Sequence, residues 1–180
     1  FDSSRDYEDN NGEPAAAGRL TLAAGPLTLG VSGLLGHYDE EARLDYRVAG
    51  ADLTLSGGGW NVRAEGVLRD TEILDATGSA DFSRRLAYAL QIDGPLGGDV
   101  RFFVLQDGLL VRDVFLSPTA GAFVAPGPGL TDDRNTILRV VAGLVVAARP
   151  GLLLKVSAEY WDFSDFDDTW VFHLELVGSY

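Results

Sequence analysis

His37 and His173 are the only histidines of this 180-residue chain, and it has no cysteine. Proton transfer near neutral pH therefore centres on two imidazoles, and thiolate or disulfide chemistry is excluded. His173 is the better placed. Side chains of an extended segment alternate between two faces, so His173 shares a face with Glu175. A turn through Asp162–Asp168 would bring Ser157 and Glu159 beside it. A serine, an imidazole and a carboxylate within hydrogen-bond reach are the parts of an acyl-transfer site. No nucleophile motif or phosphate-cradling glycine loop accompanies them, because the glycines fall in turns or extended runs. The plainer reading is a histidine hydrogen-bonded within a polar wall, so no catalytic residue is assigned and the chain is not expected to be an enzyme. Hard-cation binding by Asp162, Asp165, Asp167 and Asp168, or around Asp6, Glu8, Asp9 and Asn10, has the right donors. The spacing is not that of a calcium loop, and no metal or cofactor is expected.

The basic residues carry more information, through the segments that must position them. Nine alternating stretches rich in Leu, Val, Tyr and Thr read as strands: Ala17–Ala23, Leu27–Tyr38, Leu44–Leu55, Trp60–Arg69, Arg84–Ile92, Val100–Leu105, Thr136–Ala148, Leu152–Trp161 and Thr169–Tyr180. None keeps a 3.6-residue stripe for three turns, and Gly66, Gly143 and Gly178 count against helix. In the last stretch Trp170, Phe172, Leu174, Leu176, Gly178 and Tyr180 form one face, and Val171, His173, Glu175, Val177 and Ser179 the other. Phasing each stretch by its apolar side puts Arg19, Arg63, Glu65, Arg69, Arg85, Arg101, Arg139, Lys155, Glu159, His173 and Glu175 on the polar side. Leu44–Leu55 changes phase near Gly50, which suggests a bulge there.

Charge and loop length add the architecture. Lys and Arg number 14 against 27 Asp and Glu, a net charge of -13, which argues against nucleic acid as a partner. Most of the acid lies in five clusters: Asp2–Glu13, Asp39–Glu41, Asp70–Asp81, Asp107–Asp133 and Asp162–Asp168. These alternate with short Gly/Pro turns at Ala24–Pro26, Ser56–Gly59, Gly94–Gly98 and Arg149–Pro150–Gly151. Short turns at one end and long polar loops at the other are the signature of a barrel in the outer membrane, and a soluble sandwich has no reason to sort its loops this way. The longest wholly apolar run, Val140 to Ala148, is far below the roughly 20 residues of a membrane helix. The expected fold is therefore all-β: an antiparallel transmembrane β-barrel in one domain, 1–180, with 1–14 an acidic external loop and 107–135 a long loop. Nine strands is odd whereas bacterial single-chain barrels are even. With no Met at position 1, the chain is expected to be a processed chain or a fragment, the C-terminal part of a larger barrel. One strand miscounted within Asp107–Asn135 is the alternative. Tyr38, Trp60, Tyr160, Trp161, Trp170 and Tyr180, near strand ends, suit interfacial girdles.

The stretches Gly50-Ala-Asp-Leu-Thr-Leu-Ser56, Trp60-Asn-Val-Arg-Ala-Glu-Gly66, Leu153-Leu-Lys-Val-Ser-Ala-Glu-Tyr160 and the terminal strand resemble the C-terminal part of bacterial outer-membrane porins, especially the phosphate-selective-like group. The resemblance covers most of the chain and rests on strand rhythm, so it is specific for barrel and weak for substrate. It implies passive diffusion of small polar or anionic solutes across the outer membrane, often by trimers, with 107–135 as a constriction loop. That loop is unusually apolar (Leu109, Leu110, Val111, Phe115, Leu116, Phe123, Val124), so a structural barrel that encloses or anchors a protein partner through it is the alternative function. Membrane lipid, small solutes and a homo-oligomer or protein partner are the expected contacts. Within the lumen, the basic residues either form ion pairs with Glu65, Glu159 and Glu175 or act as a ladder for anions.

Overall fold

A computed structural model describes residues 14–37, 44–74, 80–112, 116–117, 122–123, 134–164 and 167–178. Among them there is no helix. Nine long strands, β1 (Ala16–Ala24), β2 (Leu27–His37), β3 (Asp45–Gly57), β4 (Trp60–Leu74), β5 (Ala80–Gly97), β6 (Val100–Arg112), β9 (Arg134–Arg149), β10 (Leu152–Phe163) and β11 (Thr169–Gly178), form one sheet. Two-residue strands β7 (Leu116–Ser117) and β8 (Ala122–Phe123) pair separately, so among the described residues the connection between β6 and β9 adds no strand to the sheet. Every long strand pairs antiparallel with its neighbours in chain order, β9 following β6. The sheet is open: among the described residues β1 pairs only with β2 and β11 only with β10. Nine alternating directions leave these two edges running the same way.

Local chemistry explains the hairpins. Gly58 and Gly59 have φ of 60° and 84°, the two left-handed residues of a type I′ turn, whose twist matches that of the strands it joins. Pro150 followed by Gly151 at φ 77° is the residue order of a type II turn. Neighbouring short turns are tied by backbone bonds, Ser56 N to Pro26 O and Ala147 N to Asp99 O, each 2.9 Å.

Two expectations are corrected. No bulge occurs at Gly50: the β2–β3 and β3–β4 ladders run without a shift, so Tyr46, Val48, Gly50, Asp52, Thr54 and Ser56 share one face. The apparent change of phase came from apolar residues on the polar side, with the Ser32 hydroxyl filling the space above Gly50. Register shifts occur instead between Pro95 and Gly97 and between Leu152 and Leu153. The long connection is also shorter than 107–135. Asp107–Arg112 belong to β6 and Arg134 opens β9, because Asp107 finds a cationic partner across the ladder and does not need solvent. Leu109, Leu110 and Val111 are thus strand residues, while Phe115 and Val124, like the segment 1–13, lie outside the described residues.

The sheet has almost no core of its own. Val141 is the one buried hydrophobic side chain among the described residues. One face carries Leu20, Leu22, Val31, Leu35, Leu86, Leu90, Leu144, Val156, Phe172, Leu174 and Leu176, all exposed; Phe172 reaches 76%. Of the exposed large apolar residues, only Val67, Leu153, Val177 and Leu96, which sits at the register shift between Pro95 and Gly97, lie off it.

Candidate functional site: the polar face of the sheet

Alternation along each strand, combined with the register, collects the polar side chains opposite the apolar face. The rows run Thr21, Gly30, Asp52, Glu65, Ala89, Asp107, Arg139, Trp161 and, one step nearer the short turns, Ala23, Thr28, Thr54, Arg63, Gln91, Leu105, Val141, Glu159. All residues singled out from the sequence fall on this face: Arg19, Arg63, Glu65, Arg69, Arg85, Arg101, Arg139, Lys155, Glu159, His173 and Glu175.

Their partners differ from those anticipated. Arg19 reaches over β2 to Asp52 on β3 at 2.6 Å. Gly30 between them makes this bridge feasible, since a Cβ there would collide with both charged groups. Asp93 is a hub: Asn61 and Arg101 donate to its Oδ2 at 3.1 and 3.0 Å, and Gln91 to Oδ1 at 3.3 Å. Arg101 also donates to Gly59 O at 2.8 Å, pinning a short turn. The Arg139 guanidinium straddles the Asp107 carboxylate, with Nε 3.1 Å from Oδ1, and lies over Trp161 at 5.0 Å. Asp52, Asp93 and Asp107 were missed as members of this face. Strand parity would have found Asp93, two residues from Gln91; Asp52 was hidden by the false bulge and Asp107 by its assignment to a loop.

Two expected contacts do form. Lys155 donates to Glu175 at 3.0 Å. His173 Nε2 stands 3.1 Å from Glu159 Oε1 but off the line of a hydrogen bond, leaving this buried nitrogen without a hydrogen-bond partner among the described residues. Ser157 lies directly opposite His173 in the ladder, is buried at 5% exposure, and no bond joins the two. Trp161 Nε1–H donates to Glu159 Oε2 at 3.2 Å, so Trp161 serves the polar face and not an aromatic girdle. Trp60 and Trp170 do sit on the apolar face near opposite strand ends. Trp60 covers Gly94 and meets Phe102 edge-on at 5.4 Å; Trp170 packs on Tyr160 at 4.9 Å.

On the polar face, three charged groups have no hydrogen bond or ion pair among the described residues: Arg63, Glu65 and Arg85. Arg85 faces Arg69 directly across the β4–β5 ladder, and Arg69 is itself held over Tyr46 at 4.8 Å with Nε bonded to Thr71 at 3.0 Å. Like charges directly opposed are unfavourable, so this pair concentrates positive charge on the polar face. Arg63 and Glu65 border a concavity of about 510 Å³ with Arg19, Asp52, Thr54, Gln91 and Asp107. Beside it an apolar strip, Val67, Ala87, Leu109 and Ile137, crosses the same face and lines a second concavity of about 520 Å³ with Tyr88 and Trp161.

No protein-family model, curated protein or solved structure matches this chain.

Proposed function

We propose that this sheet is part of the wall of a transmembrane β-barrel of porin type in the bacterial outer membrane, passing small polar or anionic solutes by diffusion. The observation that carries this reading is a single-layer sheet, exposed and apolar on one face apart from charges such as the Arg84–Asp70 pair toward the long-loop end, and ion-paired on the other, with Val141 as the one buried hydrophobic residue among the described residues. Water penalises so much exposed apolar surface, whereas lipid does not. Sorting of short turns to one end supports the same arrangement. An open edge cannot persist in hydrocarbon, because its amide groups would lack partners. The two edges run the same way, so closing the barrel as an all-antiparallel wall takes an odd number of further strands, giving an even total.

The lumen side favours a nearly neutral wall over a continuous basic ladder. Arg19, Arg101, Arg139 and Lys155 each have a carboxylate partner; anion preference is left to Arg85 and Arg69, with Arg63 below them. In planar bilayers the barrel should give stepwise currents with a modest anion preference. R69Q with R85Q should lower the anion-to-cation permeability ratio; a barrel that inserts and carries no current overturns the channel. The apolar strip of Val67, Leu109 and Ile137 favours a second reading, a structural barrel enclosing a partner with apolar surface. An inserted but silent barrel is the outcome that reading expects.

A further inference from the structure

We infer that the concavity bordered by Arg63 and Glu65 binds a small linear zwitterion, its carboxylate on Arg63 and its ammonium on Glu65. The reasoning starts from which charges are already satisfied. Glu65 lies directly opposite Asp52, a like charge, and Asp52 is drawn the other way by Arg19 across Gly30. The carboxylates diagonal to Arg63 are Asp52 and Asp93, and both are taken, Asp93 by Arg101, Asn61 and Gln91. Asp107, across the concavity, is held by Arg139. The fold therefore leaves one cation and one anion uncompensated on adjacent same-face positions of β4, both exposed and both lining the same hollow. Same-face neighbours on a strand are ~6.6 Å apart, so the matching ligand carries its charges at the two ends of a short aliphatic chain. A guanidinium suits the carboxylate end through paired N–H donors, and a carboxylate accepts from an ammonium. Thr54 and Gln91, directly opposite Arg63 on its two sides, add neutral hydrogen-bonding groups.

The inference rests on the proposed lumen face but not on conduction, and a barrel without current can still bind. The complete barrel, folded in detergent, is titrated with γ-aminobutyrate, butyrate and butylammonium by calorimetry or NMR. The zwitterion should bind at least ~10-fold more tightly than either singly charged analogue, a tenfold ratio being 1.4 kcal/mol. R63Q should reduce γ-aminobutyrate to the level of butylammonium, and E65Q should reduce it to the level of butyrate. Equal affinities of the three probes for the unsubstituted chain overturn the inference, and that comparison stands even where a variant fails to fold. Unchanged affinity in folded R63Q or E65Q overturns it as well.

Discussion

Gly143 offers a sharp test of how the sheet is packed. It lies in β9 between Phe103 of β6 and Ser157 of β10. Strand propensity alone says that Gly143→Ala should stabilise, since glycine within a strand costs ~0.5–1 kcal/mol relative to alanine. The packing says the reverse. A Cβ at 143 would stand 2.5 Å from Cζ of Phe103 and 2.6 Å from the carbonyl oxygen of Val156. The ring, which also lies under Lys155 Nζ at 5.4 Å, can swing aside. The carbonyl cannot, because the β9–β10 ladder holds it. Overpacking of this kind costs ~1–3 kcal/mol, which set against the propensity gain leaves a net loss of about 0–2.5 kcal/mol, centred on about 1. Gly30→Ala is the matched control. Its Cβ would meet only the ends of Arg19 and Asp52, 53% and 28% exposed, which can part. That sacrifices a bridge worth ~0–1 kcal/mol against a similar propensity gain, so the expected change lies between a loss of about 0.5 and a gain of about 1 kcal/mol. Urea unfolding of the folded chain in detergent or lipid, followed by tryptophan fluorescence, gives both values from midpoints and slopes. Adding Phe103→Leu to Gly143→Ala should restore little, because the carbonyl remains. Gly143→Ala at or above the stability of the unsubstituted chain, or Gly30→Ala losing as much, would refute the reasoning.

Two substitutions probe the faces directly. Leu174, 74% exposed in the middle of β11, should as Leu174→Arg cost ~2–4 kcal/mol in liposomes if hydrocarbon bathes that face, whereas Val177→Arg on the polar face should cost far less; equal costs would show that the faces do not meet different media. Arg139→Gln leaves Asp107 uncompensated, so reversal potentials should shift toward cations, and the emission of Trp161 should change as the guanidinium leaves its ring. An unchanged permeability ratio would mean that Asp107 does not sense the conducting path.

Much of the architecture was legible because its causes are local. A side-chain period of two depends only on backbone geometry, so the nine strands and their faces follow from residue order, as Trp170, Phe172, Leu174 and Leu176 on one side of β11 illustrate. Gly58–Gly59 likewise encode their own turn. The failures occurred where local pattern and pairing disagree. Gly50 looked like a break in phase, yet the ladder passes through it unbroken. Asp107 looked like loop, yet a cation from another strand makes an acidic residue at home on the face.

The sequence alone therefore determined strand number, the polar and apolar sides and the sorting of connections by length, all set by neighbours within a few positions. Only the tertiary structure decided which charges cancel. Arg19 meets Asp52 over a glycine of the intervening strand, Arg101 finds Asp93, and Arg139 finds Asp107 from 32 positions away. Those partnerships are fixed by ladder register, a property of strand pairs and not of any one strand. By satisfying most of the polar face, they single out Arg63, Glu65 and Arg85 as its charged groups without a partner among the described residues.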